Sequence, residues 1–110
     1  MKIKLALLDN DQVYLNRITA TLEGRYADKL EIYCFTDLEK TINTLRPAGI
    51  NVLLASKNYD INLKELPQQC GFAYLTENQN IDSFNGEGVV CKFQKIDLFQ
   101  NKWERLIGQS

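Results

Sequence analysis

The sequence contains no histidine, and its three cysteines, Cys34, Cys70 and Cys91, are odd in number, far apart and free of any Cys-x-x-Cys spacing. Zinc centres and histidine-based acid–base catalysis are thereby excluded or nearly so. An excess of one charge sign is lacking too: 13 basic residues stand against 14 acidic ones, a net charge of −1. Nucleic-acid binding leans on clustered Lys and Arg that displace counterions, and that footprint is missing. Long apolar runs are also absent. Stretches such as residues 5–8 are far too short to cross a bilayer, and the opening MKIKL alternates charged and apolar residues, unlike a signal peptide. No Gly-x-x-x-x-Gly-Lys phosphate loop occurs, so nucleotide chemistry lacks its usual cradle. The expectation is a cytoplasmic protein with no nucleic-acid, membrane or small-molecule partner.

What is present is a chain of 110 residues, 45% hydrophobic and 25% charged, the composition of one soluble globular domain with a single core. Apolar strand-like runs alternate with helical patterns. The first run is Ile3–Leu8; Asp9, Asn10 and Asp11 then offer helix caps, and Tyr14, Ile18 and Leu22 recur at four-residue spacing through a helix from Gln12 to about Gly24. A second strand reads 31–35. Thr36-Asp37-Leu38-Glu39 has the form of a capping box, with Leu38, Ile42 and Leu45 on one helix face and Pro47 and Gly49 as stops. The third strand is 51–55, a weak helix spans 63–68, and the fourth strand is 72–75. The polar stretch TENQNIDSFNGEG follows, anchored by Ile81 and Phe84 and too glycine-rich for a full helix. A fifth strand, 89–93, leads to a last helix from about Asp97 that buries Phe99, Trp103, Leu106 and Ile107.

Most of these strands run apolar over consecutive residues rather than at every second one, which favours a parallel sheet covered on both faces. The fold class is α/β, and right-handed crossovers bring the strand C-termini to one edge, where ligands bind. Asp9, Asn10 and Asp11 follow the first strand, Ser56 the third, Thr76 the fourth and Lys95 the fifth. Cys34 and Cys91, inside strands, read as small hydrophobes; Cys70, beside Gly71, is the thiol to test for reactivity.

This order of strand-end residues resembles the receiver domain of bacterial response regulators over essentially the whole chain. In LALLDNDQ, Asp9 and Asn10 occupy the acidic pair; in NVLLASKN, Ser56 stands at the phosphoacceptor; in AYLTE, Thr76 is the hydroxyl; in KFQKID, Lys95 is the lysine, with Ile96 in place of the usual proline. The resemblance implies a flavodoxin-like three-layer sandwich with a five-stranded parallel sheet of order 2-1-3-4-5 and a shortened or missing fourth helix. It is similar in particular to the N-terminal receiver-like domains of ParA/MinD-type pilus-assembly ATPases, which implies one domain, 1–110, from the N-terminal part of a longer protein.

The departures matter as much. A serine forms no acyl phosphate, and exchanging two family carboxylates for Ser56 and Asn10 removes the anionic oxygens that a hard cation needs. The strand-end group is therefore read as a vestigial site with no metal, no cofactor and no enzymatic activity, in which Lys95 pairs with Asp9. The expected role is a phosphorylation-independent interaction domain, working through a protein partner or a homodimer to position an attached effector. The alternative is a Mg²⁺-dependent phosphoacceptor receiver in two-component signalling. There Asp9 and Asp11 would hold the metal and a displaced acid such as Asp60 would accept phosphate, against the plainer readings of Asp11 and Asp60 as caps or solvated residues.

Overall fold

The computed structural model describes residues 2–78 and 80–107; both ends of the expected 1–110 domain fall outside these residues. The elements in chain order are β1 (Ile3–Leu8), α1 (Gln12–Tyr26), β2 (Leu30–Phe35), α2 (Leu38–Ala48), β3 (Val52–Ser56), β4 (Gly71–Thr76), β5 (Ser83–Phe84), β6 (Glu87–Cys91) and α3 (Ile96–Glu104). The sheet order is β2-β1-β3-β4-β6-β5. Every pairing is parallel except β5 with β6, which is antiparallel. The five parallel strands keep the expected order, and β5 is an addition at the edge.

The all-apolar strands feed both faces alternately. Leu5, Leu7, Val52, Leu54, Ala73 and Leu75 point to the side covered by α1 and α3, where Leu15, Leu22, Phe99 and Trp103 meet them. Their neighbours Ala6, Leu8, Leu53, Ala55 and Tyr74 point to the other side, against Leu45 of α2. This second face has a single α-helix over it. Tyr59, Ile61, Leu66 and Ile81 from connecting segments, with Phe84 of β5, fill the space that further helices would occupy.

Three sequence expectations need correction, and one is borne out. The weak helix at 63–68 is only a 3₁₀ turn, Leu63–Glu65, capped by Asn62. The second helix is capped by Asp37, whose carboxylate accepts the Lys40 N–H (2.8 Å), rather than by Thr36. The last long strand ends at Cys91, two residues short of the expected Phe93. The fourth helix is missing among the described residues, as the resemblance implies, and the β5–β6 hairpin takes its place. Its turn residues Asn85 and Gly86 both take positive φ, 51° and 80°, the requirement that makes Asn-Gly the favoured pair for a type I′ turn.

Gly71, the first residue of β4, shows why a side chain is missing there. A Cβ at this position would press on the Leu106 carbonyl oxygen and lie 2.9 Å from Leu106 Cβ, whereas one at Gly24 of α1 would meet nothing within 4 Å. Gly71→Ala should therefore cost about 1–3 kcal/mol through overpacking of the turn after α3. Gly24→Ala should gain about 0.5–1 kcal/mol by restricting the unfolded chain. Urea titrations of the two variants check both signs; equal effects would mean that the Leu106 contact yields freely.

Candidate functional site

The C-terminal ends of β1, β3, β4 and β6 frame a cleft of about 780 Å3 lined by Asn10, Asp11, Ser56, Thr76 and Lys92 among others. Local chemistry sets each of these side chains. Asp11 caps α1, its Oδ1 accepting the Tyr14 N–H at 3.0 Å. Ser56 Oγ accepts the Asn58 N–H at 3.2 Å and Thr76 Oγ1 accepts the Asn78 N–H at 3.1 Å. Each hydroxyl thus closes the loop that follows its own strand, a local turn bond typical of Ser and Thr. Both residues are buried.

Asp9 lies beneath the cleft, with 0% of its surface exposed. Its Oδ1 accepts the Asp11 N–H at 2.8 Å, and its Oδ2 meets Lys92 Nζ at 2.8 Å as an ion pair with no other donor. Lys92 is itself buried, and its ammonium sits 4.4 Å from the centre of the Tyr14 ring, a cation–π contact that replaces part of the lost hydration. Burial first, and the Asp9 charge second, push the Tyr14 phenol far above its ordinary pKa. It stays neutral over the whole working pH range.

The ion pair expected of Lys95 is therefore made by Lys92. The strand stops at Cys91, yet the Lys92 N–H still donates to Thr76 O at 2.8 Å. That register holds the Lys92 side chain on the same face as Val90, the face that also carries Leu7 and Asp9. The chain then turns, with Gln94 Nε2 donating to Cys91 O at 3.0 Å. Lys95 is consequently exposed, at the N-cap position of α3. The missed signal was a lysine enclosed in an apolar run, VVCKF, since a buried ammonium requires a counter-charge.

Asn10 is exposed at the cleft rim, whereas Asp60 is exposed on the loop after β3 and does not line the cleft. The donor set does not fit Mg²⁺. One Asp9 oxygen is taken by a backbone N–H and the other by an ammonium, Asp11 is engaged as a cap, and positions 10 and 56 are neutral. Among the described residues no three His, Cys, Asp or Glu side chains gather as a metal group.

The cysteines reverse their expected order. Cys70 is buried, and burial pushes its thiol up to about 11. Cys34 is the exposed one, its Sγ 3.0 Å from Thr19 Oγ1. Tyr74 is buried, packed edge-on between Phe72 (4.8 Å) and Phe84 (5.0 Å).

Removing the ammonium with Lys92→Met would strand a buried carboxylate, at a cost of about 3–5 kcal/mol. Adding Asp9→Asn should restore much of that loss, while Lys95→Met should change stability by less than about 0.5 kcal/mol. Denaturant titration of the four proteins checks the assignment; a larger effect at Lys95 than at Lys92 would refute it. At pH 8 the Cys70 thiol is protonated as well as enclosed, so iodoacetamide should modify Cys34 before Cys70. Peptide mapping over a time course reads the order directly.

Comparison with known proteins agrees with this architecture. No curated protein matches the chain. A family model described as TadZ-like, receiver domain, matches residues 1–104, nearly the full length and every element described above. The strand order, the strand-end residues and that match lead to one assignment: the chain belongs to the TadZ-like receiver-domain family.

Proposed function

We propose that this receiver-like domain works without phosphorylation, as an interaction module that docks on a partner protein or a second copy and so positions an attached effector. A ParA/MinD-like ATPase is the candidate effector, by the resemblance already described. The observation that carries the reading is the Asp9–Lys92 pair. In a working receiver the first carboxylate must be open to Mg²⁺ and the lysine open to a phosphoryl group. Here each occupies the other at 2.8 Å under the cleft floor. Ser56, at the acceptor position, supplies no carboxylate and spends its oxygen on the Asn58 N–H.

Energetics support a static edge. Separating the pair to admit a metal would leave an ammonium buried against Tyr14, and an unpaired buried charge costs several kcal/mol. A switch needs two states whose balance a ligand can tip by differential affinity. A site whose counter-ion is already built into the protein offers an added cation little to gain.

Amide NMR spectra recorded with Mg²⁺, then with Mg²⁺ and beryllofluoride, test this. No saturable shift is expected at Asp9, Ser56, Thr76 or Lys92 at millimolar metal. Saturable shifts at those residues, or around Asp60, would overturn the proposal in favour of a phosphoacceptor receiver.

A further inference from the structure

The two edges of the sheet are unlike. One ends in β5, a strand of two residues, and very short strands are one way in which sheet edges are blunted. The other ends in β2, six residues in unbroken parallel register with β1. The Ile3 N–H donates to Lys29 O and the Asp9 N–H to Phe35 O. These bonds set the phase of the ladder, so that residues 29, 31, 33 and 35 turn their backbone groups to β1. Ile32 and Cys34 therefore turn N–H and C=O outward, and no hydrogen bond among the described residues takes those groups up.

The usual guards of an edge are missing from β2. It has no proline, no bulge and no lysine, and its one carboxylate, Glu31, accepts the Tyr33 hydroxyl. Ile32, Tyr33 and Phe35 are half-buried and Cys34 is exposed. Charges of opposite sign flank the strand: Lys29 before it and Asp37 after it. Both are exposed and outside the ion pairs found among the described residues.

We propose that β2 pairs antiparallel with β2 of a second copy, about a two-fold axis at Tyr33, joining two sheets into one. The inference rests on the reading of the domain as an interaction module and names the copy, the edge and the register. Hydrogen-bonded pairs must match outward-facing residues, so Ile32 of each chain lies opposite Cys34 of the other. Tyr33 then meets Tyr33, and Glu31 meets Phe35. Lys29 of each chain meets Asp37 of the other, where the backbone is still extended (φ −111°, ψ 126°). Charge selects this register over its neighbours, because opposite charges directly across strands stabilise and like charges destabilise. An axis at Cys34 would set Glu31 against Asp37, like on like. An axis at Ile32 would set Lys29 against Phe35 and would need the backbone of Leu30, which is buried. The pairing also closes. It consumes the long open edge of each copy and leaves the two-residue β5 outside, so the product is a dimer and not a filament. A contact one strand wide places that dimer in the weak, transient class.

Sedimentation velocity of the full chain under reducing conditions, from micromolar to millimolar, tests the proposal together with cross-linking. A monomer–dimer equilibrium is expected. Cys34→Pro removes an outward N–H and none that β1 uses, and should weaken the dimer roughly tenfold or more. Lys29→Glu should weaken it by about tenfold, and Lys64→Glu, a surface change elsewhere, should leave it unchanged. Circular dichroism confirms that each variant is folded. Register is read separately. Across the axis the Cα atoms of residue 33 lie about 4.5 Å apart, within disulfide reach, whereas the two Cys34 residues are diagonal at about 7–8 Å, beyond it. Under diamide, Tyr33→Cys/Cys34→Ser should cross-link rapidly and the native chain should not. A chain that stays monomeric at millimolar concentration would overturn the proposal. A dimer indifferent to both Cys34→Pro and Lys29→Glu would overturn the β2 edge while leaving the docking reading intact, and cross-linking through Cys34 in preference to position 33 would overturn the register. Metal-dependent shifts in the NMR experiment would instead strike at the underlying reading, so the failures are separable.

Discussion

Asp9 and Lys92 come from strands that are not neighbours: β3 and β4 lie between β1 and β6 in the sheet. Their contact at 2.8 Å is a brace across the strand ends. Attraction alone seldom repays the desolvation of two buried ions. Here the remaining valences are met locally, by the Asp11 N–H on the carboxylate and the Tyr14 ring beneath the ammonium. The brace therefore depends on the first turn of α1, which supplies both Asp11 and Tyr14, and on the register of β6, which delivers Lys92. In turn it fixes the level of the cleft floor, above which Ser56 and Thr76 can do no more than close their own loops.

The same economy explains how a receiver-like sheet persists with three α-helices among the described residues. On the α1/α3 face, two helices cover the sheet with large side chains such as Leu15, Leu22, Phe99 and Trp103. On the other face a single helix suffices because connecting segments lay apolar side chains across the strands. Tyr59 does so while its hydroxyl donates to Thr36 O at 2.6 Å, which ties the loop after β3 to the end of β2. Phe84 does so from the hairpin, packed edge-on to Tyr74 with the Lys57 ammonium over its other side at 5.4 Å. Burial is thus maintained on that face by one helix and the segments around it.

The parallel strands were legible in the sequence because they are buried on both faces, so that 5–8, 52–55 and 72–75 read as uninterrupted apolar runs. Asp9, Ser56 and Thr76 were legible for the same reason, each being the first polar residue at the end of such a run. Lys92 was not, because Phe93 looked like the next core residue. In fact Phe93 is 52% exposed, in the turn beyond the strand. Burial decided which of two nearby lysines paired, and hydropathy, which scores every lysine alike, is blind to that choice. The hairpin was missed differently. Asn85-Gly86 carried its signal in plain view, but a two-residue strand is too short to show any periodicity of its own. Cys70 and Cys34 exchanged places because exposure at a sheet edge depends on which strand is outermost, a property of topology and not of local composition.

The closed Asp9–Lys92 pair and the hairpin in the fourth helix's place have a common physical basis if the domain carries no switch. A receiver's switch couples a polar site to a face through helices and loops that hold two arrangements. On the reading proposed above, the Asp9–Lys92 pair leaves the site no ligand to drive a second arrangement, and a relaying helix has no role. The β5–β6 hairpin with its Asn85-Gly86 turn stands in that helix's place. On that same reading, docking needs no trigger, and a surface held by rigid elements before any partner arrives lowers the ordering cost of association.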